Sequence, residues 1–224
     1  MVLRVFWNLG SGLLHHAVSK SAKAQPGMGV LSPVVWRART GFLDCDINMH
    51  LNNSSFLYCM ELARWHFAGA VGMLPTYFKN NLTLLVASQT IRYRHPIPPF
   101  HPYEIHTQVV HSDDDWMYLL QHFVCPTTGK MYAEGLCRAT IRKGRNRVPW
   151  HKVYKDSTGL EITPNEQMPD VVKEFLDWDA ASKVSMEAAE AVTRATASAK
   201  TRPSGVEKIT MSWNSPQKSL DPKN

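Results

Sequence analysis

The fold is decided by residues 44–72, DCDINMHLNNSSFLYCMELARWHFAGAVG. A polar loop opens this stretch, and apolar residues then recur on nearly every side of about five helical turns. Asn53 or Ser54 can cap the start of the helix, and Gly72 is a typical stop signal. Because a helix that is apolar all round must be buried, the pattern predicts one long helix inside the core.

Strand patterns flank this helix on both sides. A first strand is predicted within SPVVWRART, residues 32–40, and four more follow at residues 82–94, 102–111, 116–125 and 131–142. Short, turn-rich connections indicate antiparallel hairpins. The predicted fold class is α+β, a curved antiparallel sheet wrapped around the long helix, because one flat face cannot cover the whole helix. A further helix is predicted at residues 170–199.

The length of 224 residues suits one compact domain with extensions. Hydrophobic residues make up 44% and charged residues 20%, which excludes wholesale disorder, a collagen-like chain and a membrane bundle. We predict a basic N-terminal extension at residues 1–31, the main domain at 32–150, a linker with the C-terminal helix at 151–199, and a mobile tail at 200–224.

Most of the net charge of +6 lies near the N-terminus. No acidic residue precedes Asp44, whereas five Lys and Arg residues do, so residues 1–43 carry +5. The near-neutral remainder argues against a nucleic-acid-binding domain. The acid-free stretch predicts a transit peptide or, alternatively, a membrane-surface helix anchored by Phe6, Trp7, Leu13 and Leu14. A plain packing arm is the third interpretation, since the apolar run is too short to span a bilayer.

The polar loop carries the candidate chemistry. Asp44, Asp46, Asn48, His50 and Asn52 alternate with apolar or soft residues, so an extended loop would present them on one side. The N–H groups that begin the helix, near Asn53 and Ser54, can stabilise an anionic oxygen.

These are the parts needed to hydrolyse an activated ester. Asp46 can attack the carbonyl carbon or deprotonate a water molecule. His50 can donate a proton or orient the reacting groups by a hydrogen bond, and Asn48 can position water or the carbonyl. The same spacing equally fits a polar loop whose side chains merely cap turns.

Polar residues outside the loop also form candidate sites. Glu61 and Arg64 can form a second catalytic pair or, alternatively, an intrahelical ion pair. A basic turn can bind coenzyme A phosphates or remain a solvated turn; it contains Arg142, Lys143, Arg145 and Arg147. The four cysteines form no C-x-x-C motif and the histidines have no metal-ligand spacing, so we expect neither a metal nor a cofactor.

The loop also resembles a known signature. DCDINMHLNNSSF, residues 44–56, followed by Glu61 and Arg64, resembles the motif of hotdog-fold thioesterases, D-x-D-x-(G or N)-x-H-x-N-N-x-x-(Y/F) with an acid and an Arg on the helix. IRYRHPI, residues 91–97, resembles the strand that follows the helix in that superfamily. Over roughly residues 34–190 the chain is most similar to the branch called thioesterase superfamily member six.

The resemblance implies a hotdog fold, a homodimer with acyl sites at the subunit interface, and hydrolysis of acyl-CoA or acyl-carrier-protein thioesters. Asp46 matches the carboxylate that attacks or activates water in 4-hydroxybenzoyl-CoA-type enzymes. Asp46, Asn48 and His50 match the Asp-x-Asn-x-His cluster of plant acyl-carrier-protein thioesterases.

A non-catalytic role stays open beside the enzymatic one. The basic N-terminus and the long C-terminal segment exceed what hydrolysis needs, so the alternative is an acyl-binding or structural subunit of a large organellar complex. We expect a mitochondrial location or an intracellular, membrane-associated one, with peripheral membrane contact and no nucleic-acid partner.

Overall fold

A computed structural model describes residues 2–18, 33–162 and 167–200 of the chain. The predicted mobile tail lies outside these residues except for its first residue, and so does the second part of the N-terminal extension. The helices are α1 (Val2–Val18), α2 (Asn53–Ala70), α3 (Leu74–Lys79), α4 (Trp150–Thr158) and α5 (Asp170–Lys200). The strands are β1 (Val34–Arg39), β2 (Thr83–Tyr93), β3 (Pro102–Ser112), β4 (Met117–Val124), β5 (Met131–Lys143) and β6 (Asn146–Val148).

The strands form one antiparallel sheet in the order β1-β3-β4-β5-β2, with β6 paired to β5. Strand β2 therefore occupies an edge, although it is 11 residues long. Its register places Thr83 opposite Arg142 and Tyr93 opposite Ala133. The site described below lies near the Tyr93 end of this edge strand.

Helix α2 packs against the concave side of the sheet. Phe56, Met60 and Ala63 of α2 are buried with residues of β3, β4 and β5 in one cluster, and Phe67 and Ala70 are buried in a second. A Cβ atom at Gly135 on β5 would lie 2.3 Å from the Met60 methyl carbon. Gly135 therefore lets the helix approach the sheet at that point.

The predicted α+β architecture is confirmed. The four later strands and α2 fall within two residues of the predicted bounds, and Gly72 stops α2 with a φ of 78°. Helices α3 and α4 and strand β6 were not predicted, because six, nine and three residues are too short to show a clear period. Part of the predicted linker is thus helix α4, whose Trp150, Val153 and Tyr154 are buried in the core.

The chain divides into two compact units, Met1–Ala180 and Ala181–Asn224. In the first unit, Val172 and Phe175 of α5 are buried against Val110, Tyr118 and Leu136 of the sheet. The described part of the second unit is the remainder of α5, where almost every side chain is exposed. Among the described residues, no helix is both long enough and apolar enough to cross a membrane.

Candidate functional site

The loop before α2 is a closed turn. Cys45 and Leu51 form an antiparallel bridge, and the Asp46 N–H donates to the His50 carbonyl oxygen at 3.0 Å. Met49 completes the turn with a φ of 57°. The prediction of an extended loop with all its polar groups on one side is therefore wrong, because the turn's own hydrogen bonds curl the chain back on itself.

The turn brings Asp46 and His50 together. Asp46 Oδ1 lies 3.6 Å from His50 Nδ1, and both side chains are partly exposed. The same oxygen accepts a 2.9 Å hydrogen bond from the Asn48 N–H. Asn48 thus holds the carboxylate through its backbone, while its side chain lies exposed on the turn. Asp44 belongs to a different interaction, a 3.1 Å ion pair with Arg4 of α1.

Helix α2 begins one residue earlier than predicted. Its N-cap is Asn52, whose side-chain oxygen accepts from the Ser54 N–H at 2.8 Å and from Ser54 Oγ at 2.7 Å. The Ser54 N–H is therefore occupied by the cap and is not the oxyanion donor that the sequence predicted. Within the described residues, we find no partner for the N–H groups of Asn53 and Ser55, so these two can bind an anionic oxygen.

A groove of about 270 Å³ lies at this end of α2. His50, Asn53 and Phe56 line one side of it, and Tyr93 and His95 line the other; neither Asp46 nor Asn48 is among the lining residues. Tyr93 Oη donates to the Asn53 carbonyl oxygen at 3.2 Å, which ties the end of β2 to the helix. His50 therefore lies at the groove, whereas Asp46 contacts His50 without lining the groove.

Glu61 and Arg64 do not form an ion pair with each other in the part of the chain that the structure describes. Arg64 instead turns into the core, where its guanidinium donates to Gln121 Oε1 at 3.1 Å. Gln121 in turn donates to the Met60 carbonyl oxygen and to Thr107 Oγ1. The Gln121 anchor, 57 residues away in sequence, has no signal in the local pattern.

A second groove, of about 360 Å³, runs between α2 and β2. Glu61, Arg64 and Gln89 line it together with Trp65 and apolar residues of β2. Arg64 is a buried cation whose partners within the described part of the chain are two amide oxygens, at 3.1 Å and 3.5 Å. A buried guanidinium without a carboxylate favours an anionic or carbonyl group in this groove.

The basic turn lies far from the first groove within one chain. Arg142 pairs with Thr83 at one end of β2, whereas Tyr93 lies ten residues further on, about 30 Å along the strand. Arg147 forms a 2.8 Å ion pair with Asp115 and also contacts the Trp116 ring. The basic turn and the polar loop therefore do not meet in the single chain.

The sequence profile of the Thioesterase-like superfamily matches residues 40–178. Protein THEM6 of Drosophila melanogaster is 29% identical over 135 residues, which cover 60% of this chain and 67% of that protein. Protein THEM6 of Danio rerio is 30% identical over 119 residues, which cover 53% of this chain and 59% of that protein. The match to thioesterase poxG of Penicillium oxalicum is 26% identical and covers 47% of this chain and 39% of that protein.

Solved structures share the fold. YbaW, a probable thioesterase of Escherichia coli, has a TM-score of 0.51 and 17% identity, and the match covers 57% of this chain and 98% of that protein. The hypothetical protein SAV2348 of Staphylococcus aureus, solved in complex with CoA, has a TM-score of 0.52 and 10% identity, with 61% and 89% covered. At such identities the likeness shows the fold alone, and with the profile match it confirms the predicted hotdog architecture.

Proposed function

Because the chain belongs to the Thioesterase-like superfamily, we propose that it hydrolyses acyl-CoA or acyl-carrier-protein thioesters in the groove at the start of α2. The observation that carries the proposal is the folded loop: Asp46 lies 3.6 Å from His50, and His50 lines the groove together with Asn53, the first residue of the helix. These groups are a base, its partner and an anion-binding helix end, as acyl transfer to water requires.

The proposed step breaks the thioester C–S bond. The carbonyl oxygen of the substrate accepts a hydrogen bond from the N–H group of Asn53, which lines the groove and stabilises the negative charge that develops on the oxygen. Water adds to the carbonyl carbon, its proton passes to His50, and the leaving thiolate takes the proton back. Asp46 stabilises the imidazolium, and the Asn48 N–H holds Asp46 in place.

An alternative route uses Asp46 directly. In that route Asp46 Oδ2 attacks the carbonyl carbon or deprotonates the water itself. The lining of the groove favours the first route, because His50 lines the groove and Asp46 does not. A single turnover in ¹⁸O-labelled water tests nucleophilic attack by Asp46. Label in the Asp46 carboxylate would demonstrate an acyl-Asp46 anhydride that water opens at the Asp46 carbon, whereas attack of water on the thioester, with either His50 or Asp46 as the base, puts the label only into the released acid.

The central test measures thiol release from a panel of acyl-CoAs. Asp46→Asn should lower kcat by at least about 100-fold, since the proton transfer loses its charged partner. Glu134→Gln is the matched control, because Glu134 also pairs with a histidine, His122, at 2.8 Å. Full activity in Asp46→Asn would overturn the proposed site. No thiol release by the wild type across the panel, with the chain in a large particle, would favour the structural subunit instead.

The proposal includes a homodimer that completes the site. Edge strand β2 exposes Leu85 and Val86, and an unpaired edge of this length invites pairing with a second copy. Antiparallel pairing of two β2 strands about a two-fold axis brings the Tyr93 end of one next to the Thr83 end of the other. The partner's basic turn would then approach the groove, where Arg142, Lys143, Arg145 and Arg147 can bind the CoA phosphates.

Glu61 is proposed to have a secondary role at the same interface. It lines the groove between α2 and β2 with Arg64, and self-pairing of β2 would enclose that groove. Glu61→Gln should therefore raise KM more than it lowers kcat if the residue contacts substrate away from the reacting carbonyl.

A further inference from the structure

Helix α1 packs on α2 with its polar face inward. Asn8 is only 4% exposed and accepts a hydrogen bond from the Trp36 indole N–H. Ser11 Oγ lies 3.0 Å from His66 Nδ1, and His16 Nδ1 lies 2.9 Å from the Ala70 carbonyl oxygen. The side chains that would ordinarily face water are thus used to hold the helix on the protein.

Two glycines determine how the two helices meet. A Cβ atom at Gly12 would lie 2.4 Å from the His66 carbonyl oxygen, and one at Gly69 would lie 2.9 Å from the Gly12 backbone. The backbones of α1 and α2 therefore touch at this crossing, and any larger side chain would push them apart. Since this contact leaves no room for α1 to turn about its axis, its opposite face must remain outward.

The outward face is strongly apolar. Leu3 is 85% exposed and Trp7 is 77% exposed. The other exposed large apolar side chains of α1 are Phe6, Leu13, Leu14 and Val18. The spacing Leu3, Trp7, Leu14 and Val18 is that of one helical face. Continuous apolar surface of this kind on a protein exterior indicates an interaction site.

The candidate loop adjoins the same helix. The Arg4–Asp44 ion pair, 3.1 Å long, ties the first turn of α1 to the start of the loop. On either side of Asp44, Leu43 is 92% exposed and Ile47 is 96% exposed. Further exposed apolar side chains, Phe42 and Met49, belong to the same short segment. Exposed apolar side chains therefore lie both on α1 and on the segment to which its first turn is tied.

Charge identifies the partner. No acidic residue precedes Asp44, Arg4 lies on α1, and Lys20 and Lys23 follow α1 in the sequence, so this part of the chain attracts a negatively charged surface. Aromatic and aliphatic residues on one face of a helix that is flanked by basic residues are typical of a helix lying in the boundary between lipid headgroups and acyl chains. The close packing of α1 on α2 also favours a segment that stays with the folded protein over a removable transit peptide.

We propose that α1 docks the protein on the surface of an anionic lipid bilayer, with Leu3, Phe6, Trp7 and Leu14 in the acyl boundary and the exposed side chains of residues 42–49 at the same surface. Docking does not depend on hydrolysis. It would place the candidate groove at the membrane, where long acyl chains partition.

Vesicle flotation with the full chain tests this docking. The wild type should float with vesicles of phosphatidylcholine and phosphatidylserine, and binding should weaken with added salt, because exposed charges are screened. The double variant Trp7→Glu and Leu14→Glu should bind at least about tenfold more weakly, since two anchoring side chains then carry negative charge. Val184→Glu with Met186→Glu is the matched control on exposed apolar residues of α5 and should bind like the wild type.

Three results would overturn the proposal. One is wild-type protein that does not float, and another is equal binding by the Trp7→Glu and Leu14→Glu variant. The third is a soluble oligomer of the wild type that the same variant dissociates, which would mean that a second copy covers the face. Thermal unfolding of both double variants should match the wild type, because all four side chains are exposed, and thiol release measured with short, soluble acyl-CoAs separates loss of docking from loss of catalysis.

Discussion

Single hydrogen bonds determine which polar side chain of the loop reaches the groove. The Asn52 side-chain oxygen accepts a hydrogen bond from the Ser54 N–H and caps the helix, and the Asn48 N–H donates to one oxygen of Asp46. Those two bonds leave His50 as the loop's titratable side chain on the groove wall. Residue types alone made Asp46, Asn48 and His50 equal candidates, because type and spacing carry no information about the direction in which a turn folds.

His66 illustrates how burial changes a side chain at the contact between α1 and α2. His15 Nδ1 lies 3.2 Å from His66 Nε2, and Ser11 Oγ approaches the other ring nitrogen. Burial, assisted by the neighbouring His15 ring, lowers the pKa of His66 to about 4. The folded protein therefore keeps this imidazole neutral where an unfolded chain would protonate it.

Stability should fall in mild acid because of His66. The His66 imidazole of the unfolded chain binds a proton near pH 6.5, and that of the folded chain only near pH 4. The contribution of neutral His66 to the unfolding free energy is therefore fully present above pH 6.5 and is lost as the pH falls toward 4. Between pH 7 and pH 5, the unfolding free energy should decrease by about 2 kcal/mol more in the wild type than in His66→Gln. Urea unfolding at both values measures this, and equal losses in the two proteins would rule out His66 as the cause.

At the scale of elements, α1 and α2 show that the period of apolar residues predicts a helix but does not say which of its faces is buried. A membrane-surface helix is one of three interpretations of the N-terminal sequence, beside a transit peptide and a packing arm, and the four apolar residues named as its anchors are exposed. Nothing in that period says that the polar face is the one that packs on the protein. Gly12, Gly69 and His66 determine the packed face, and they belong to two segments more than 50 residues apart.

The exposed edge of strand β2 is the surface through which we expect two copies of the chain to pair. Val86→Lys places a charge on the unpaired edge and should convert the proposed dimer into a monomer, because a lysine must be desolvated for the edges to pair. Thiol release should fall at least about tenfold if the partner completes the site. Light scattering during gel filtration gives the mass. Phe78→Lys, at an exposed position on α3, is the control and should leave the dimer intact; a wild-type monomer with full activity would contradict the composite site.

At the scale of the whole molecule, the division at Ala180 separates a packed unit from the distal part of α5. The first turns of α5 are buried on the sheet through Val172 and Phe175, and Arg138 forms a 2.6 Å ion pair with Asp179. Beyond this point the side chains described are almost all exposed. The first unit should therefore hold its fold alone.

Truncation after Ala180 should leave the melting temperature within about 2 °C of the full chain, because little apolar surface is lost. Phe175→Ala should instead lower the unfolding free energy by about 3 kcal/mol, since it removes a buried ring. Calorimetry of the two proteins checks both values. A large drop on truncation alone would mean that residues beyond 180 stabilise the sheet.

The local sequence pattern was sufficient to predict where the main strands lie along the chain. It also predicted the long buried helix, its stop at Gly72 and the position of the polar loop. These features depend on period, turn residues and apolar content, which neighbouring residues carry among themselves. The direction of the loop's side chains, the Arg64–Gln121 bond, the separation of the basic turn from the groove and the inward polar face of α1 required the folded chain. Each depends on contacts between residues far apart in sequence, and such contacts exist only once the sheet has closed around α2.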